Sequence, residues 1–73
     1  MEKIEAKAEV TGSVWKIVAE VGSRLEAGDT IMILESMKME IPVLAEEAGT
    51  LAELSVAEGA AVSEGQVVAV LES

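Results

Sequence analysis

The sequence predicts an all-β fold of eight short strands in two sheets, and three observations predict it: an internal repeat, glycines at matched places in both copies, and a core inventory almost without aromatic residues. Sliding the chain along itself by 37 residues lays Gly12 on Gly49, Gly22 on Gly59 and Gly28 on Gly65 without a gap. Leu34-Glu35-Ser36 falls on Leu71-Glu72-Ser73, and Val14, Ile17, Leu25, Ile31 and Ile33 fall on Leu51, Leu54, Val62, Val68 and Val70. Two copies are too few for a solenoid, so the halves are expected to bury their apolar faces against each other about a pseudo-twofold axis. Apolar residues make up 51% of the chain, yet Trp15 is the only aromatic, so Val, Ile, Leu, Ala and Met must fill the core. That filling suits a thin, two-layered β structure.

Short runs of Val, Ile and Leu between glycine-containing turns read as strands rather than long helices. The first strand is expected near Ala6 to Val10. Ser13 to Val18 follows, with Thr50 to Val56 as its repeat partner. Arg24 to Leu25 is matched by Ala61 to Val62, and Thr30 to Glu35 by Val67 to Leu71. Glu40 to Ala45 completes the set; it contains Pro42, which lacks an N–H and is expected on an edge or facing away from the ladder. Gly22, Gly28, Gly59 and Gly65 are expected to supply the positive φ of the tight connections. Propensity also allows a helix over Leu44 to Leu54, against which Gly49 and the repeat register argue.

The inventory excludes several chemistries. With no Cys and no His, zinc, iron–sulfur and Cys or His nucleophile chemistry drop out, and stability has to come from packing and turns. The remaining acids, bases, Ser and Thr are poor material for a self-contained enzyme. Five basic residues against 14 acidic ones give a net charge of −9, so no nucleic-acid partner is expected. The same charge serves solubility, or steering toward basic docking surfaces. No apolar run approaches a membrane span, the N-terminus does not read as a signal peptide, and the expectation is a cytoplasmic monomer with no membrane partner. Met1 and the lack of any tag or tail favour a free-standing protein over an excised domain.

Under the repeat, residue 38 corresponds to residue 1, so Met37-Lys38-Met39 is expected to project into solvent at the pole opposite the chain ends. The tip is odd as a hairpin turn, because two-residue loops favour Asn-Gly or Asp-Gly for their positive φ. Side chains forced into that conformation cost free energy, and strain at a loop tip suggests function. Exposed methionines are adaptable contacts for a partner. The alternative is an ordinary solvated lysine with both methionines folded back on the sheet.

Glu35-Ser36-Met37-Lys38-Met39 resembles the mark of the biotinyl domains of biotin-dependent carboxylases and decarboxylases, Glu-Ala/Ser-Met-Lys-Met with biotin on the lysine. The resemblance covers nearly the whole chain, including Gly12-x-Val14, Gly28-Asp29, Gly49-Thr50-Leu51 and Gly59-x-x-Val62. It implies a flattened barrel-sandwich hybrid of two four-stranded antiparallel sheets. One attachment domain would span 1–73, with half-repeats 1–36 and 38–73 around the Lys38 hairpin. It further implies a biotin carboxyl carrier: a biotin protein ligase makes biotinyl adenylate and joins biotin to Lys38. The arm would shuttle carboxybiotin between the biotin carboxylase and the carboxyltransferase of an acyl-CoA or keto acid carboxylase, such as acetyl-CoA carboxylase. Tethering raises the effective concentration at both sites, and the carrier catalyses neither step.

Recognition by ligase and partners would fall on Glu35, Ser36, Met37, Met39 and Glu40. Gly12, Gly22, Gly28, Gly49, Gly59 and Gly65 would serve as structural turns. No catalytic residue and no metal site are expected. Val18 to Gly22 leaves no room for the protruding thumb that some biotinyl domains insert there. Trp15 reads as a half-exposed packing residue, with partner docking as the alternative. Two other functional readings stay open: a lipoyl carrier or dual biotin/lipoyl attachment protein, lipoyl carriers sharing the architecture but having Asp-Lys-Ala as their usual context, and an unmodified interaction module with the same hybrid fold.

Overall fold

The computed structural model describes residues 2–73, and all eight elements in it are strands: β1 (Lys3–Lys7), β2 (Gly12–Ile17), β3 (Arg24–Leu25), β4 (Thr30–Ser36), β5 (Met39–Leu44), β6 (Gly49–Leu54), β7 (Ala61–Val62) and β8 (Val67–Glu72). They form two antiparallel four-stranded sheets, ordered β1-β8-β6-β3 and β5-β4-β2-β7. Leu44 to Leu54, where propensity allowed a helix, instead contains β6. Met1, the repeat counterpart of Lys38, lies outside the described residues.

Two expectations change. The first strand runs over Lys3–Lys7 rather than Ala6 to Val10. Ala6 and Ala8 are both buried, and this alternation suggests a strand continuing past residue 7. The chain instead leaves the sheet after Lys7, and Ala8 N–H is taken by the Gln66 carbonyl at 2.9 Å. The halves also do not stack face to face. Each sheet takes two strands from each half, so the copies interlock. Interlocking satisfies the turns across the repeat: Gly22 N–H donates to Leu51 O and Gly59 N–H to Val14 O, both at 2.7 Å. Likewise Gly28 N–H donates to Ala45 O and Gly65 N–H to Ala8 O, both at 2.8 Å. At these glycines φ lies between 87° and 96°, which glycine adopts without a Cβ clash.

The bulges obey the same symmetry. Trp15 in β2 and Ala52 in β6 are extra residues against their partners, as are Ile31 in β4 and Val68 in β8. A bulge turns two consecutive side chains toward one face. Ile31 and Met32 are therefore both fully buried, as are Val68 and Ala69, which strict alternation would have divided between core and solvent. They join Val14, Leu34, Leu51 and Leu71 in a core with no buried polar residue. Burying side chains of this size stabilises by about 1.5–3 kcal/mol each.

Pro42 lies in edge strand β5, opposite Ile33. Counting from the closing pair Ser36 and Met39, this is a non-hydrogen-bonded position, so the ring takes no donor from the ladder.

Candidate functional site

Six residues, Glu35 to Glu40, build one end of the molecule. β4 and β5 are joined by the two residues Met37 and Lys38, with Ser36 facing Met39 as the closing pair. Both loop residues have positive φ, 51° and 65°, as a type I′ turn requires. Neither is glycine or asparagine, so the turn holds two side chains in a left-handed conformation that costs roughly 1–2 kcal/mol per residue. Met37 is 92% exposed and Met39 63%, so neither folds back onto the sheet. Lys38 is exposed and takes part in none of the side-chain hydrogen bonds among the described residues.

Glu35 and Glu40 face each other across β4 and β5 on the outer surface, since Leu34 beside Glu35 points into the core. Carboxylates placed directly opposite repel. Ser36 is partly buried and its hydroxyl donates to the Thr11 carbonyl at 2.9 Å. Thr11 Oγ1 in turn accepts from Glu64 N–H, in the turn between β7 and β8, at 3.1 Å. No motif announces Thr11. The available signal is that the repeat places Ala48 at the matching position.

Gly12 and Gly49, expected at turns, are the first residues of β2 and β6. A Cβ on Gly12 would collide with the Glu35 carbonyl oxygen, and one on Gly49 would sit 2.8 Å from that of Glu72. Glycine here allows close approach of backbones rather than a turn. Trp15 is half exposed on its bulge. The connection from Val18 to Ser23 between β2 and β3 carries no protrusion.

The turn at Ser63 to Gln66 is fastened to Thr11 at the hairpin base, and β8 runs from it for six residues, about 20 Å, to Glu72. Glu72 pairs with Lys3 and Ser73 N–H bonds to Glu2 O, so the chain ends close the far pole of a body 36 Å long and 17 Å wide. What the hairpin pole offers is one amine held clear of that body, and this defines the class: a carrier domain.

The chain belongs to the biotin and lipoyl attachment family, whose model, described as "Biotin-requiring enzyme", matches residues 4–71. It is 42% identical over 67 residues to "Biotinylated protein TB7.3 homolog" of Mycobacterium leprae, an alignment covering 92% of this chain and 94% of that protein. The "Biotin/lipoyl attachment protein" of Bacillus subtilis is also 42% identical, over 59 residues and 81% of each chain. Among solved structures, the urea carboxylase of Kluyveromyces lactis superposes with a TM-score of 0.94 at 38% identity, covering 99% of this chain and 6% of that one. The cofactor of this biotinyl carrier domain is covalently held biotin. Residues at the tip suit such a group: an exposed primary amine, free of hydrogen bonds among the described residues, on a loop only two residues long. No helix among the described residues is long and apolar enough to cross a membrane.

Proposed function

We propose that Lys38 is the residue that carries biotin, and that the chain serves as the carboxyl carrier of a biotin-dependent carboxylase. The observation that supports this most directly is the strained turn itself, two left-handed non-glycine residues that display Lys38 between two exposed methionines. A biotin protein ligase transfers the biotinyl group from biotinyl adenylate to the amine, which must lose its proton to attack; the new amide bond replaces the acyl–phosphate bond and AMP leaves. The chain's share in that step is position: β4 and β5 hold the amine outward, while Met37 and Met39 give the ligase an apolar grip and Glu35 and Glu40 a negative flank. When bound, biotin accepts a carboxyl group at a ring nitrogen and gives it up again. The carrier brings it within reach of a biotin carboxylase and of a carboxyltransferase acting on an acyl-CoA or keto acid, and does neither reaction itself. The tip residues Glu35 to Glu40 form the recognition surface of a single domain, 1–73, working in the cytoplasm as a monomer.

Intact mass and a streptavidin blot of protein isolated from cells test this. Wild type should carry a biotin-sized adduct, and Lys38→Arg should carry none while keeping its unfolding midpoint. A relative named for both groups keeps lipoate as the second reading. An adduct of lipoyl size in cells supplying both cofactors would select it. Wild type and Lys38→Arg of unmodified mass and equal activity with partners would instead indicate an interaction module.

A further inference from the structure

Most turn hydrogen bonds among the described residues have a repeat-related partner; the pair at Thr11 does not, nor do the bonds from Ile17 N–H to Glu58 Oε2 and from Ala19 N–H to Ile31 O. Under the repeat, Thr11 corresponds to Ala48, Glu64 to Ala27 and Ser36 to Ser73. Ala48 has no hydroxyl, so the chain-end pole closes without this link. Closing the fold therefore does not require it.

What the link does follows from where the ladders stop. Pairing of β2 with β4 ends at Ser13 and Glu35, and β2 is anchored to β7 through Gly12 and Val62. Beyond that level only the Ser36–Met39 pair and the two loop residues extend, with no third strand of the sheet beside them. Thr11 lies at the junction. Its carbonyl holds Ser36, the last residue of β4, and its hydroxyl holds the β7–β8 turn. Gly12 permits the approach, since any side chain there would strike the Glu35 carbonyl.

We propose that Thr11 is a positioning residue for acylation of Lys38, fixing the hairpin ribbon to the body so that the amine meets the ligase in one orientation. This rests on the attachment reading above. Ordering a loop on binding is taken out of the association free energy, so a tip already ordered binds its ligase more tightly without altering the chemical step. Losing one exposed hydrogen bond should cost on the order of fivefold in KM and leave kcat unchanged.

The test uses Thr11→Val, which keeps the side-chain shape and the carbonyl that holds Ser36 but cuts the anchor to Glu64 N–H in the β7–β8 turn, and Thr11→Ser, which keeps the hydroxyl. Each is biotinylated with a biotin protein ligase, biotin and ATP, and backbone order parameters at Met37 and Lys38 are measured by NMR on the unmodified proteins. The expected result is a KM raised about fivefold and lowered order at the tip in Thr11→Val, with both values restored in Thr11→Ser. A merely stabilising Thr11 would lower the unfolding midpoint and leave KM and tip order alone, and that outcome overturns the proposal. So does failure of Thr11→Ser to restore them. Wild type left unlabelled at Lys38 overturns the attachment reading and this one with it. Labelled wild type with an unchanged Thr11→Val overturns this one alone.

Discussion

The two poles are built from the same four positions and carry different charges. At the chain-end pole the row across the sheet is Lys3, Glu72, Thr50 and Arg24, an acid with one cation on the neighbouring strand and another two strands away on its other side. At the hairpin pole the repeat-related row is Glu40, Glu35, Ser13 and Ala61, two facing acids and no cation. The hairpin pole also contains the strained turn. Among the described residues, repeat-related strands thus carry the facing acids and the strained turn at the end that displays Lys38, which is where departure from local optimality is expected in a functional site.

Three pairs of substitutions probe this contrast, and the largest effect asks whether the frame is built alike at both poles. Gly12→Ala and Gly49→Ala each drive a methyl group onto a carbonyl oxygen that belongs to a ladder and cannot rotate away. Overpacking of this kind costs about 1–3 kcal/mol. Urea midpoints should fall for both, with Gly12→Ala the worse because its backbone approach is the tighter, and an unchanged midpoint at either would break the claim that glycine is there for close backbone approach.

Opposite in sign is Met37→Asn combined with Lys38→Gly, which supplies the residues a type I′ turn favours. Relief of left-handed strain should raise stability by about 1–2 kcal/mol, read as a higher urea midpoint, while biotinylation disappears. A lower midpoint would show that the tip is not strained.

The smallest effect is electrostatic. Glu40→Lys recreates at the hairpin pole the pairing that Lys3 makes with Glu72, and Lys3→Glu recreates the acid pair at the chain ends. Cross-strand pairs contribute roughly 0.2–1 kcal/mol, so the first variant should gain and the second lose by that amount in low salt. Convergence of both with wild type at high salt would tie the difference to charge.

Much of this was legible in the residues. The glycine spacing revealed the duplication, the positive-φ turns and the number of strands, and the tip motif singled out Lys38. Reading β1 at Ala6 to Val10 ignored the same repeat, which maps β5 onto residues 2–7; alternation of small apolar and charged residues is a local signal, and it persists where the chain has already left the sheet. Interlocking of the halves had no local signal, because which strand pairs with which depends on contacts between distant segments. The bulges were hidden because they break the two-residue period that strand reading assumes. Thr11 was hidden because one hydroxyl carries no pattern, and it becomes visible only as a difference between copies.

The interlocked sheets have a consequence for how such a chain can be divided. Neither half contains a complete sheet, so residues 38–73 alone would have β6 and β8 in one layer and β5 and β7 in the other, with the turn donors Gly59 and Gly65 lacking their acceptors Val14 and Ala8. A second copy of the same peptide offers Leu51 and Ala45 at those places. The half-sequence is therefore a self-complementary subunit: as a free peptide it should fold only by pairing with itself around a true twofold axis, and a chain severed between Met37 and Lys38 should stay assembled as two mutually threaded pieces.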